Sequence, residues 1–235
     1  TVIEALASGL PAVVSDWNGY RALIDHDVTG VLVPTKTLPG DSAWEAGLNL
    51  QPDPTVHLLC AQTTAVDLPA ARDALLRLAA DPDAVARMSA AAAADAERYD
   101  WKQVLPQYLA LWEKLCQEKA TARIDEAQRN RRTSALRFLQ DFASYPSSRL
   151  VPGDRFATSE LGQRLLQGGQ TVQPYDDMKE ILDLQLMAGI LNACLYERTC
   201  EELVAFVRPS ATPQEALRIS QNVMWLYKYG YLEVR

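Results

Sequence analysis

Two short apolar runs near the start of the chain limit what it can fold into: PAVVS (Pro11 to Ser15) and TGVLVPT (Thr29 to Thr35). Each is rich in β-branched residues and bounded by Gly, Pro or a small polar residue, the pattern of a short buried strand. Helical stretches alternate with them. Thr1 to Ser8 predicts a helix closed by Gly9, and a second runs through Tyr20, Leu23 and Ile24, with Asp16 and Asn18 placed to cap it. Helix, strand, short helix, strand describes one face of a parallel sheet in a doubly wound α/β domain.

The stretch from Lys36 to Leu68 carries Pro39, Gly40, Gly47, Pro52 and Pro54, which predicts an irregular surface insertion. Three helices follow. One spans about Pro69 to Ala80, with Ala71, Leu75 and Leu78 on one side. The next starts at DPDAVARM, with Asp81 as N-cap and Pro82 in the first position. The third starts at Asp100, and its Trp101, Val104, Leu105, Tyr108, Leu109, Trp112 and Leu115 make one apolar stripe interrupted by Pro106. Residues 119–149 predict a solvated linker helix with the basic cluster Arg129, Arg131 and Arg132, and 150–176 a loop-rich linker.

Residues 177–235 are helical and well punctuated. Asp176 or Asp177 is placed to cap a helix carrying Ile181, Leu182, Met187, Ile190 and Leu191. Thr199 with Glu202, and Thr212 with Glu215 behind Pro213, form two capping boxes. Gly230 ends the last helix and YLEV predicts a terminal strand.

Composition excludes several classes. The chain has 235 residues, 48% of them hydrophobic, enough to bury a core. Its net charge of −7 opposes a phosphate backbone, so no nucleic acid partner is expected. No stretch approaches the roughly 18 apolar residues of a spanning helix, so no transmembrane segment is expected. Cys60, Cys116, Cys194 and Cys200 form no CxxC pair, and His26 and His57 lie far from the last two. Buried free thiols in a reducing, cytoplasmic setting are the expectation, with neither a zinc site nor a disulfide framework.

The opening stretch, TVIEALASGLPAVVSDWNGYRALIDHDVTGVLVPT, resembles the nucleotide-binding half of retaining glycosyltransferases of the GT-B fold, family 4 type (glycosyl transferases group 1). Glu4 with ALASGLP matches the second glutamate of that family's signature, and LLRLAADPDAVARMSAAAAADAERYDWKQVLPQYLALWEKL follows the family's later course. The likeness covers about residues 1–118 and is interrupted at 36–68. It implies a partial nucleotide-sugar-binding Rossmann-like domain over 1–118, a parallel sheet with flanking helices. It further implies a hexosyltransferase-type reaction that takes a sugar from a nucleotide-diphosphate donor to an unknown acceptor with retention. Glu4 is then the ribose ligand and Thr1 contributes a backbone N–H to the diphosphate. The signature's first glutamate falls eight residues before Glu4, ahead of the present sequence, so the chain alone is expected not to transfer sugar. No Asp-x-Asp motif is present, and neither cofactor nor catalytic metal is implied.

ATPQEALRISQNVMWLYKYGYLEV is similar to the end of winged-helix domains. The expected small C-terminal domain is therefore all-α or winged-helix-like. DNA reading would have to come from Arg218, Gln221, Asn222 and Lys228, inside an acidic segment. Protein docking or self-association through Trp225, Tyr227, Tyr229 and Tyr231 is the preferred role for the tail. Two alternatives to the transferase stand beside it. One is a non-catalytic regulatory protein with a remnant sugar-nucleotide domain, the other a structural remnant without a ligand.

Overall fold

The computed structural model describes residues 1–40, 42–48, 50–51, 53–121, 137–169, 171–179 and 181–235. The basic cluster predicted at 129–132 lies outside them. The fold is mixed α/β with three small sheets among the described residues. The predicted parallel sheet is met only in part: the described strands form small sheets that include parallel pairing. Contacts divide the chain into two compact units. The first takes Thr1–Val14, Gly19–Leu32 and the described part of Asp73–Ala135; the second takes Ser15–Asn18, Val33–Arg72 and the described part of Leu136–Arg235. Residues 33–72, which the sequence assigns to the 1–118 segment, thus pack with the C-terminal residues.

In the first unit, α1 (Val2–Ala7) leads through Gly9 (φ 67°) into β1 (Ala12–Ser15), which pairs with β2 (Gly30–Val33). α1 packs on α6 (Pro82–Ala96), and Leu6, Ile24 and Ala92 form the buried centre. Asp81 caps α6 as the sequence predicts, its carboxylate accepting from the Ala84 N–H at 2.8 Å. The predicted cap of α2 (Tyr20–Leu23) fails: Gly19 is the N-cap, with no side-chain bond. Asp16 instead accepts from the Ser147 hydroxyl at 2.6 Å, and Asn18 takes φ 53° to donate its N–H to the Tyr145 carbonyl. Both residues therefore bond within the second unit.

The predicted apolar side of α5 (Leu68–Ala80) is also corrected. Leu75 is exposed and Ala74 is the buried residue. In α7 (Trp101–Thr121) the apolar stripe forms as one helix face, with Pro106 inside the helix, but it faces solvent; Trp101 is 74% and Trp112 55% exposed. Cys116 on this helix is exposed, against the expectation of a buried thiol.

In the second unit, residues 36–68 are not an irregular insertion. They form β3 (Thr35–Thr37), α3 (Ser42–Leu48), α4 (Asp53–Gln62) and β4 (Thr64–Val66), and bury Leu38, Leu48, Val56, Leu59 and Ala65. β3 pairs antiparallel with β4 and parallel with β5 (Ser148–Arg149). The Lys36 ammonium meets Asp154 at 2.9 Å, both largely buried. Between β4 and β5 the chain forms α8 (Phe138–Asp141), which buries Leu139.

The 150–176 stretch is not simply a linker either. It contains β6 (Arg155–Thr158) and α9 (Glu160–Leu166), and β6 is the central strand of the order β7-β6-β8. β7 (Arg198–Thr199) and β8 (Leu232–Val234) both pair with it antiparallel. The tail 177–235 therefore has no three-stranded sheet without β6. Phe156 of β6 is fully buried, with its ring 6.1 Å from that of Tyr227.

α10 (Leu184–Ala193) is capped by Asp183, which accepts from the Gln185 and Leu186 N–H groups. This corrects the choice of Asp176 or Asp177, which lie in a short 3-10 turn. Both predicted capping boxes are present, at the heads of α11 (Cys200–Val207) and α12 (Pro213–Lys228). Gly230 follows α12 with φ 75°, and the chain turns into β8.

α12 is the main core helix, and Thr212 sets its start: the hydroxyl accepts from the Glu215 N–H at 3.3 Å, and the Glu215 carboxylate accepts from the Thr212 N–H at 2.9 Å. Thr212→Ala is expected to lower stability by about 1 kcal/mol, with Thr212→Ser restoring most of it, in urea unfolding. The Thr212 donors hold the Glu215 carboxyl below its usual range. This cap's contribution is therefore present above the ordinary glutamate pKa and is lost as pH falls through the lower folded value.

Candidate functional site

Thr1 and Glu4, the two residues predicted to bind the donor, lie together at the head of α1. Glu4 is open to solvent, its side chain 82% exposed, with Oε2 3.1 Å from the Thr1 nitrogen. No side chain caps the first turn of α1. His26 sits in the turn before β2, where Nδ1 accepts from the Leu32 N–H at 3.0 Å, a structural role.

The second unit holds a cavity of about 520 Å³ that the sequence does not predict. Five separated segments build it. Trp17 comes from the loop after β1, and Thr35 and Thr37 from β3. Val56, His57 and Cys60 come from α4; Phe138, Phe142 and Tyr145 from α8 and the turn after it. Lys228, at the end of α12, completes the wall. The Trp17 ring meets Tyr145 edge-on at 5.9 Å, and Phe142 lies 4.9 Å from Tyr145. Trp44 packs half-buried against the core.

The polar groups of the wall are held in place. The Thr35 hydroxyl donates to the Asp16 carbonyl at 2.8 Å, and the Thr37 hydroxyl to the Thr63 carbonyl at 3.2 Å. Lys228 Nζ donates to the carbonyls of Ala61 and Thr64 at 3.0 and 2.8 Å. Burial pushes the Lys228 pKa down. Burial first, and the Glu45 carboxylate second, push the Cys60 thiol up, which disfavours its thiolate. Glu45 itself is fully buried and accepts from the Leu139 N–H at 3.0 Å, which anchors α8.

Three of the four candidate DNA-reading residues of α12 are otherwise engaged. Gln221 and Asn222 are buried, Asn222 bonding the Asp183 N–H and the Ile181 carbonyl, and Lys228 holds the carbonyls just described. Arg218 remains at the surface, 3.7 Å from Asp183. Trp225 and Tyr227 are buried too, so the predicted aromatic surface shrinks to Tyr229 and part of Tyr231.

Titratable core groups give the second unit a pH response. Burial pushes Cys194 to about 12, Cys200 to about 11 and Tyr227 to about 12, from ordinary values of 9.0, 9.0 and 10.0. The unfolded chain releases these protons first. Stability is therefore full below the ordinary thiol value and falls as pH rises through the folded values. Thermal melts from pH 8 to pH 11.5 should show a falling Tm, and Cys200→Ala should make the fall shallower. A flat profile would contradict the assignment.

No known protein family, curated protein or solved structure matches the chain. Among the described residues, no group of three or more His, Cys, Asp or Glu side chains could hold a metal ion. Among them, too, no helix is long and apolar enough to cross a membrane.

Proposed function

We propose that the first unit carries the donor contact of a retaining glycosyltransferase, which moves a sugar from a nucleotide-diphosphate donor to an acceptor. Glu4 binds the donor ribose and Thr1 meets the diphosphate through its backbone. The reading rests on the resemblance of residues 1–118 to the GT-B class. The observation that carries it is the placement of Glu4, an exposed carboxylate at the head of α1, followed in order by β1, α2 and β2. A carboxylate accepts from two vicinal hydroxyls at once, and charged acceptors make the stronger bonds. Sugar transfer requires donor and acceptor to be aligned, so the donor contact at Glu4 is one part of the reaction.

Ligand-observed NMR with nucleoside-diphosphate sugars of different bases tests this. Saturation transfer should be strongest at the ribose protons of one donor. Absence of transfer from every donor at millimolar concentration would overturn the reading.

A second reading, protein docking through a winged-helix-like tail, draws support from Leu195, Tyr196 and Phe206. These are exposed apolar residues, the first two just after α10 and Phe206 within α11.

A further inference from the structure

The cavity of the second unit combines two features that point to one ligand chemistry. Its body is aromatic: Trp17, Phe138, Phe142 and Tyr145 present rings from two chain segments. Its charge is positive: Lys228 lines it, while among the described residues no Asp or Glu side chain does. That is notable in a chain with 30 acidic residues against 23 Lys and Arg.

Lys228 is also held for the purpose. Two of its three N–H groups are fixed on the Ala61 and Thr64 carbonyls, which sets the direction of the ammonium and leaves one donor. Among the described residues no carboxylate lies within ion-pair distance of it. A half-buried cation without a counter-charge is costly, and an anion arriving beside it removes that cost. The volume, about 520 Å³, lies within the usual range of small-molecule sites.

We propose that this cavity binds a small organic anion with a flat aromatic body. The ring packs among Trp17, Phe142 and Tyr145, and the anionic group accepts a charge-assisted hydrogen bond from Lys228 Nζ. The site lies wholly within the second unit and is independent of the donor reading for Glu4.

Naphthalene-2-carboxylate is the probe, with naphthalene-2-carboxamide as its neutral partner, titrated into the full chain by calorimetry. The carboxylate should bind saturably at one site, and about tenfold or more tighter than the amide, as a charged hydrogen bond implies. Lys228→Met should erase that preference and leave amide binding nearly unchanged; Phe142→Ala should weaken both. Because Lys228 also supports two backbone carbonyls, the acid-to-amide ratio of the unaltered protein is the decisive reading if the variant fails to fold. Equal binding of the two probes, no binding of either, or a preference that survives in a folded Lys228→Met protein would each overturn the proposal.

Discussion

Phe156→Ala is expected to destabilise the second unit by about 3–5 kcal/mol, the range for emptying a fully buried aromatic site. Phe156 has no solvent exposure and sits on the central strand of β7-β6-β8. Its neighbours cannot close the gap by a local shift, because β6 is bonded on both edges and Tyr227 is fixed within α12. Urea unfolding followed by far-UV circular dichroism should show a large drop in midpoint. Phe156→Leu should lose much less, since it keeps most of the volume. A drop below about 1 kcal/mol would mean that β6 does not centre this core.

Gly162→Val is expected to be almost as severe, by overpacking. Gly162 lies in the first turn of α9, where Ser159 caps it, accepting its N–H at 3.0 Å. A Cβ there would stand 2.3 Å from the Tyr231 carbonyl oxygen and 2.8 Å from Thr158 Cγ2. The carbonyl is backbone and already accepts from the Ser159 N–H at 3.1 Å, so it cannot step aside cheaply. The loss should be about 3 kcal/mol, at the upper part of the range for forced insertion into a packed site. Circular dichroism melts of Gly162→Ala and Gly162→Val should fall in that order. An unchanged Tm for the valine variant would show that α9 does not approach β8 as described.

These two sites also mark where sequence reasoning reaches its limit. Local chemistry was legible. Asp81, Thr199 and Thr212 cap the helices they are placed to cap, because capping is decided within four residues. Gly9 and Gly230 end their helices for the same reason. Long-range pairing was not legible. β3 and β5 are three- and two-residue strands that pair with each other across more than a hundred positions. Their Pro- and Gly-rich surroundings imitate an insertion. β6 carries only RFAT, too short to show an alternating pattern.

The candidate sites divide along the same line. Glu4 stands out because its flanking motif is contiguous, and the head of α1 is a local feature. The cavity draws Trp17, Phe142, Tyr145 and Lys228 from segments with no common motif. The aromatic spacing in RFLQDFASYP was its only local trace, and nothing in that stretch indicates a lysine from α12. The stripe on α7 shows the converse. Its period correctly gives one apolar face, but periodicity does not say what the face packs against, and the face is exposed.

The central claim is that Glu4 reads a ribose. The most direct test compares a nucleoside diphosphate with its 2′,3′-dideoxy analogue, using the donor base found by NMR, in the unaltered protein and in Glu4→Gln. Two charge-assisted hydrogen bonds predict a preference for the ribose form of about tenfold or more. Glu4→Gln should weaken the ribose form and bring the two affinities together, while the dideoxy form changes little. A ribose preference that persists undiminished in Glu4→Gln would contradict the account and return Glu4 to an ordinary exposed residue of α1.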